Sequence, residues 1–188
     1  MLSGATSRRI TPYRRIAGVS LIEVLVSIVI ASIGLLALAG VNATSVRYTK
    51  LSQYRGTATL LANDIGERMR ANRAGLPSYS LETSFASQAA LPGAAAVLCN
   101  DYTVTCTAAQ VADYDMQTWR VLVRNQLPEG SIYIKYQSVQ VAADVWVVWR
   151  DPAVSSTDES PAGANECPGT LSVAADPSVR CSYFRINL

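Results

Sequence analysis

The sequence contains no histidine. That absence removes the commonest general base and the commonest metal ligand at once. Charge is scarce as well: Asp, Glu, Lys and Arg make up 16% of the 188 residues, against 49% hydrophobic residues. No CxxC pair occurs, so Cys99, Cys106, Cys167 and Cys181 lack both the spacing and the nitrogen partners of a zinc site. There is no glycine-rich phosphate loop and no cysteine–histidine nucleophile. Asp113 and Asp115 are two apart and would point to different sides of a helix. Asp158 and Glu159 fall in a polar stretch, and the acids of residues 151–176 follow no EF-hand spacing. These gaps predict a chain that is not an enzyme and that holds no cofactor and no metal.

Acidic residues are missing from one end altogether. Residues 1–18 hold four arginines (Arg8, Arg9, Arg14 and Arg15) and no acid. The formal charge of +2 comes from this leader, because the remainder has 12 basic against 14 acidic residues, a net of −2. A mildly acidic body offers no electrostatic footprint for DNA or RNA, so no nucleic-acid partner is expected.

The segment after the leader is apolar. "GVSLIEVLVSIVIASIGLLALAGV" fills residues 18–41, and residues 24–41 are eighteen without a charge. Adding residues 19–23 gives twenty-three, enough for a membrane-spanning helix. The basic leader should stay in the cytoplasm and send the C-terminal bulk outward. There the cysteines meet an oxidising compartment, which favours disulfides. One carboxylate, Glu23, lies at the mouth of the apolar run, where an unpaired charge is costly.

The helical pattern continues beyond the span. No proline interrupts residues 46–69, and apolar residues recur at Val46, Tyr54, Ala58, Leu61, Ile65 and Met69. From Tyr54 the gaps are four, three, four and four, a stripe along one helix face. Arg68, Arg70 and Arg73 suit a helix C-terminus, Gly75 a C-cap and Pro77 a stop. The spacing therefore predicts one helix over about residues 20–74, apolar all round at first and on one side later.

Residues 76–112 read as a mostly irregular connection. "DYDMQTWRVLVRNQLPEG" (113–130) predicts a short helix capped by Asp113, with Met116, Trp119, Leu122 and Val123 on one face and Pro128 and Gly130 at its end. "SIYIKYQ" (131–137) and "SVQVAADVWVVWR" (138–150) read as strands, with Asp144 where a turn would split the second. Residues 151–176 are loop, and "RCSYFRINL" (180–188) alternates as a final strand. A long N-terminal helix packed on a small antiparallel sheet is an α+β arrangement. Trp119, Trp146 and Trp149 are expected as core fillers under the sheet. Four cysteines permit three connectivities. The close pairs, Cys99–Cys106 and Cys167–Cys181, are expected because each needs only a turn or a hairpin.

An ordinary secretory signal would also begin with a basic region and an apolar run, and Ala37-Leu38-Ala39 before Gly40 fits its cleavage site. The long leader, the acid at position 23 and the continuation of the helix past Gly40 count against that reading. "GVSLIE" instead resembles the class III signal of type IV prepilins and type II secretion pseudopilins. The resemblance implies cleavage after Gly18, with Val19 as the new, methylated N-terminus where phenylalanine is usual. Glu23 becomes the fifth mature residue and matches the N-terminal amine of an adjacent subunit during assembly. Such a pair penalises wrong axial register, since misplacement leaves two charges unpaired in an apolar bundle.

Outside residues 76–112 and 152–180, most of the chain is similar to PilV-type minor pilins. The carriers are "LANDIGERMRANRAG" (61–75), "DMQTWRVLVRNQLPEG" (115–130) and "VWVVWRD" (145–151). The resemblance implies a pilin-like fold: a leader over residues 1–18 that is removed, a transmembrane and assembly helix over 19–41, its amphipathic half over 42–75, and a periplasmic head over 76–188. It implies a minor pilin supporting pilus biogenesis. Its partners would be other pilin and minor pilin subunits, prepilin peptidase and the inner membrane, and its final place the filament. A minor pseudopilin of type II secretion is the near alternative. A single-pass anchored periplasmic enzyme or binding protein is the distant one.

Overall fold

The computed structural model describes residues 18–101, 103–154, 166–173 and 176–188. The arginines of the leader and the Asp158–Glu159 pair lie outside the described residues. The first helix, α1 (Leu21–Ala71), is succeeded by a 3-10 helix (Arg73–Tyr79) and a second, short one (Ala86–Gln88). Then come α2 (Ala108–Gln126), β1 (Ser131–Gln137), β2 (Ala142–Arg150) and β3 (Val179–Asn187). The strands form one antiparallel sheet in the order β1-β2-β3. This is the expected α+β, pilin-like fold: a long N-terminal helix with a small antiparallel sheet.

The chain divides into two compact units, Met1–Ser45 and Val46–Leu188. In the first, every described residue is exposed, with Leu21 at 80% and Leu36 at 74%. Three hydroxyls there, of Ser27, Ser32 and Thr44, turn back onto the helix. Ser27 donates to the Glu23 carbonyl at 2.6 Å and Ser32 to the Ile28 carbonyl at 2.7 Å. These three hydroxyls are thus satisfied within the segment, as a hydrocarbon environment favours. By length and composition α1 can cross a membrane.

In the second unit α1 changes character. Ala58, Leu61, Ala62, Ile65 and Met69 are buried at the 3–4 spacing of one helix face. They meet Ala112, Met116, Trp119 and Val123 of α2 and the inward residues of the sheet, among them Ile132, Ile134, Val145, Val147, Trp149 and Ile186. Strand alternation sends Tyr133, Val148 and Cys181 to the opposite face, under Phe85 and Leu171. Trp119 and Trp149 are fully buried, as expected of core fillers, and the Trp119 indole N–H donates to the Leu61 carbonyl at 3.1 Å. Trp146 is only partly buried and packs on the outer face, between Tyr133 and Tyr183.

Several expected boundaries move. Helix α1 ends at Ala71, and Gly75 is no left-handed cap, since no described glycine has positive φ. Gly75 and Pro77 instead lie inside the 3-10 helix. A Cβ at Gly75 would stand 2.5 Å from the Ala108 carbonyl, so glycine here permits the close approach of the start of α2. That helix starts at Ala108 and not at Asp113. Thr107 is its cap, accepting from the Gln110 amide at 3.3 Å while the Gln110 side chain accepts from the Thr107 amide at 2.8 Å. Asp113 sits a turn later and holds Gln117. Asp144 does not mark a turn. It lies within β2 opposite Lys135 and Arg185, and the turn falls before Ala142, with Val141 at φ 48°. The 76–112 connection contains a bridge from Leu81 to Ile134 as well as the 3-10 helices and the first turn of α2.

Candidate functional site

At the N-terminal end, Gly18 and Val19 precede the helix, and Val19 is 68% exposed. The Ser20 carbonyl accepts from the amides of Glu23 at 3.0 Å and Val24 at 3.2 Å, which opens the first turn. Glu23 lies in that turn, where the helix dipole favours an acid. Among the described residues no cation pairs with its carboxylate. Beyond it run Val24, Leu25, Val26, Ile28, Val29 and Ile30, all at least 47% exposed. The site is therefore a lone carboxylate at the head of a bare apolar helix, one turn after Val19.

Two bridges brace the second unit. Cys99 is bonded to Cys106 ahead of α2, and Cys167 to Cys181 on β3. The first closes a stretch with no buried residue among those described, and the second ties in the outer cluster, where Leu171, Val179 and Cys181 are buried.

A polar cluster clamps the end of α1. The Tyr79 hydroxyl donates to Asp115 Oδ2 at 2.6 Å, and Arg68 Nη1 reaches Asp115 Oδ1 at 3.4 Å and Thr118 Oγ1 at 3.1 Å. Asn72 Nδ2 donates to the Ala108 carbonyl at 2.8 Å. Burial and the bond to Asp115 push the Tyr79 phenol well above its ordinary range. A second cluster fixes the start of β3. Arg150 donates to Asp176 Oδ2 at 2.8 Å and Glu129 Oε2 at 3.0 Å, and its guanidinium lies 5.6 Å from the Phe85 ring centre. Burial opposes ionisation of Asp176, but its bonds to Ser178 and Arg150 prevail and hold the carboxyl below its usual range. Among the described residues no group of three or more potential metal ligands comes together. Both clusters are built of hydrogen-bonded ion pairs between elements, suited to holding those elements together.

The Tyr79–Asp115 clamp is not legible in the sequence, since residues 36 apart in the chain give no periodic signal. The Thr107 cap has a signal there, because "TAAQ" has the capping-box spacing.

Residues 13–39 match the prokaryotic N-terminal methylation motif, and residues 40–117 match the Tt1218-like type IV pilin family. No curated protein and no solved structure gives a match. The two matches adjoin at the apolar helix, and together with the fold they make the chain a class III prepilin-like protein. The likeness to type IV pilins extends over residues 40–117, the hydrophobic N-terminal helix suits membrane anchoring, and a signal of this class implies processing by prepilin peptidase and assembly with pilin subunits.

Proposed function

We propose that the protein is a pilin, a minor subunit of the type IV pilus of the PilV type, that supports pilus biogenesis. In this reading residues 1–18 are a cytoplasmic leader, cut between Gly18 and Val19, and the Val19 amine is methylated. Residues 19–41 then span the inner membrane and afterwards pack among the same helices of neighbouring subunits. Residues 42–75 are the amphipathic half of that helix, and residues 76–188 are the head, held in the periplasm. The observation that carries the reading is the methylation motif matched over residues 13–39, at the start of an apolar helix whose described residues up to Ser45 are all exposed. The type IV pilin match favours a pilus over the type II secretion machinery, whose minor pseudopilins share the same signal.

Glu23 has a physical task in this scheme. Cleavage at Gly18 creates a cationic amine four residues before it, on its own chain and on every neighbour. Pairing the carboxylate with a neighbour's amine removes two buried charges from hydrocarbon at one axial position only. Glu23→Ala should leave insertion intact, because it makes the span more apolar. Incorporation into filaments should fall. Fractionation of sheared filaments from membranes reads this directly. Undiminished incorporation of the variant would leave Glu23 with a helix-end role alone.

A further inference from the structure

At the outer edge of β1, Gln88 closes the backbone of Ile132 with both ends of its amide. It donates to the Ile132 carbonyl at 2.7 Å and accepts from the Ile132 amide at 3.2 Å. The second half of α2 carries Arg120 and Arg124, one turn apart. Both arginines line a cavity at this edge, together with Gln88, Pro92, Ser131 and Ile132. No carboxylate stands in its walls.

Five arginines are half-buried among the described residues: Arg68, Arg120, Arg124, Arg150 and Arg180. Withdrawing a guanidinium from water is costly unless an acid meets it. Arg68, Arg150 and Arg180 each reach one, at Asp115, Asp176 and Glu166. Arg120 and Arg124 form no ion pair with any described residue. Arg124 has neutral partners, since it donates to the Gln88 carbonyl at 3.3 Å and to the Ala89 carbonyl. Its position is fixed while its charge is left over. For Arg120 even the neutral partner is missing at one atom, because its Nε is buried without a hydrogen bond. Gln117 Oε1, one turn earlier on α2, is buried and unpartnered as well, so it does not supply the acceptor. Burial, with no charged neighbour to offset it, pulls the Arg120 guanidinium below its ordinary range.

The cavity holds about 10 Å³, room for one water-sized group. A water there would give Nε an acceptor but leave two positive charges uncompensated. One oxygen of an anion answers both needs, in a charge-assisted bond. The volume admits that oxygen alone, so the body of the ligand stays outside.

We propose that the cavity between α2 and the β1 edge is a binding site for an oxyanion, a carboxylate or a phosphate, gripped by Arg120 and Arg124. Arg124 is preorganised by its two carbonyls, and Arg120 supplies the unmet donor. The site is independent of the N-terminal helix and of the pilin reading.

The test uses the full-length chain in a neutral detergent. Thermal unfolding is followed as sodium acetate or sodium phosphate replaces sodium chloride at constant ionic strength. The midpoint should rise and then saturate with at least one of the two, because a ligand that binds only the folded chain stabilises it. A response to acetate alone identifies the ligand as a carboxylate, and one to phosphate alone as a phosphate. With ¹⁵N-labelled arginine, the Arg120 Nε–H signal should shift along the same saturation curve. Arg120→Lys keeps the charge but loses the fork, and should raise the half-saturating concentration about tenfold. Arg120→Met should abolish the response. In chloride alone Arg120→Met should unfold no earlier than the parent chain, since the charge it deletes has no partner there. Retention of both disulfides checks the fold of each variant. No saturable rise, a rise retained in Arg120→Met, or a stationary Arg120 signal would overturn the proposal. So would early unfolding of Arg120→Met in chloride, which would show that an acid of residues 155–165 already pairs with Arg120.

Discussion

The Tyr79 hydroxyl donates to Asp115 Oδ2 at 2.6 Å, joining the 3-10 helix after α1 to the second turn of α2. Arg68 approaches the other oxygen of the same carboxylate from α1. Three elements thus converge on one part-buried acid. The clamp sits where α1 gives way to the rest of the head, so it fixes the point from which α2 and the sheet are built.

Replacing Tyr79 with Phe removes the donor and leaves Asp115 with Arg68 as its charged partner. A bond to a charged acceptor contributes about 1.5–3 kcal/mol, so Tyr79→Phe should destabilise the head by about 2 kcal/mol in denaturant unfolding. The pH dependence supplies a second signature. The phenol is held above its ordinary value of 10.0 by burial and by Asp115. Above pH 10 the unfolded chain releases this proton while the folded chain keeps it, so stability falls as pH rises further. That part of the alkaline slope should vanish in Tyr79→Phe. An unchanged slope would mean the phenol is not shielded.

Gln88 is buried at 5% exposure and serves as a one-residue strand against Ile132. Gln88→Leu fills similar space but leaves an amide and a carbonyl of a fully buried residue without partners. Each orphaned group costs about 1–3 kcal/mol, which sets an expected loss of about 3 kcal/mol for the pair. Amide exchange at Ile132 should accelerate with the loss of stability in the same variant. Protection as strong as in the parent chain would show that another group closes this edge.

Much of the architecture is legible in the sequence because it rests on periodicity. The 3–4 spacing from Tyr54 to Met69 marks the face that α1 buries, and Ala58, Leu61, Ile65 and Met69 are indeed buried there. The strand "SIYIKYQ" falls on β1 residue for residue. The features that periodicity does not carry are set by tertiary contact. Gly75 has the place of a helix stop, but its lack of a side chain serves the approach of Ala108, and the chain tightens into a 3-10 helix there. Asp144 is a residue type suited to turns. It is tolerated inside β2 because Tyr183 donates to it at 2.7 Å and Gln137 at 3.2 Å, partners that only the register of the sheet supplies. The edge-closing role of Gln88 leaves no trace in the sequence, since a glutamine in a loop has no pattern. At the N-terminal end the balance is reversed. The signal "GVSLIE" is plain in the sequence, whereas the fold adds only that the helix behind it is bare.

The central claim is that the apolar helix stays on the protein and is the element through which it assembles. N-terminal sequencing of the membrane-bound form, and of the form in sheared filaments, addresses it most directly. The expected sequence in both is Val-Ser-Leu-Ile-Glu, from cleavage after Gly18, with the first residue methylated. A chain that begins at Gly40 would contradict the account, because the helix and Glu23 would then have been discarded with an ordinary secretory signal.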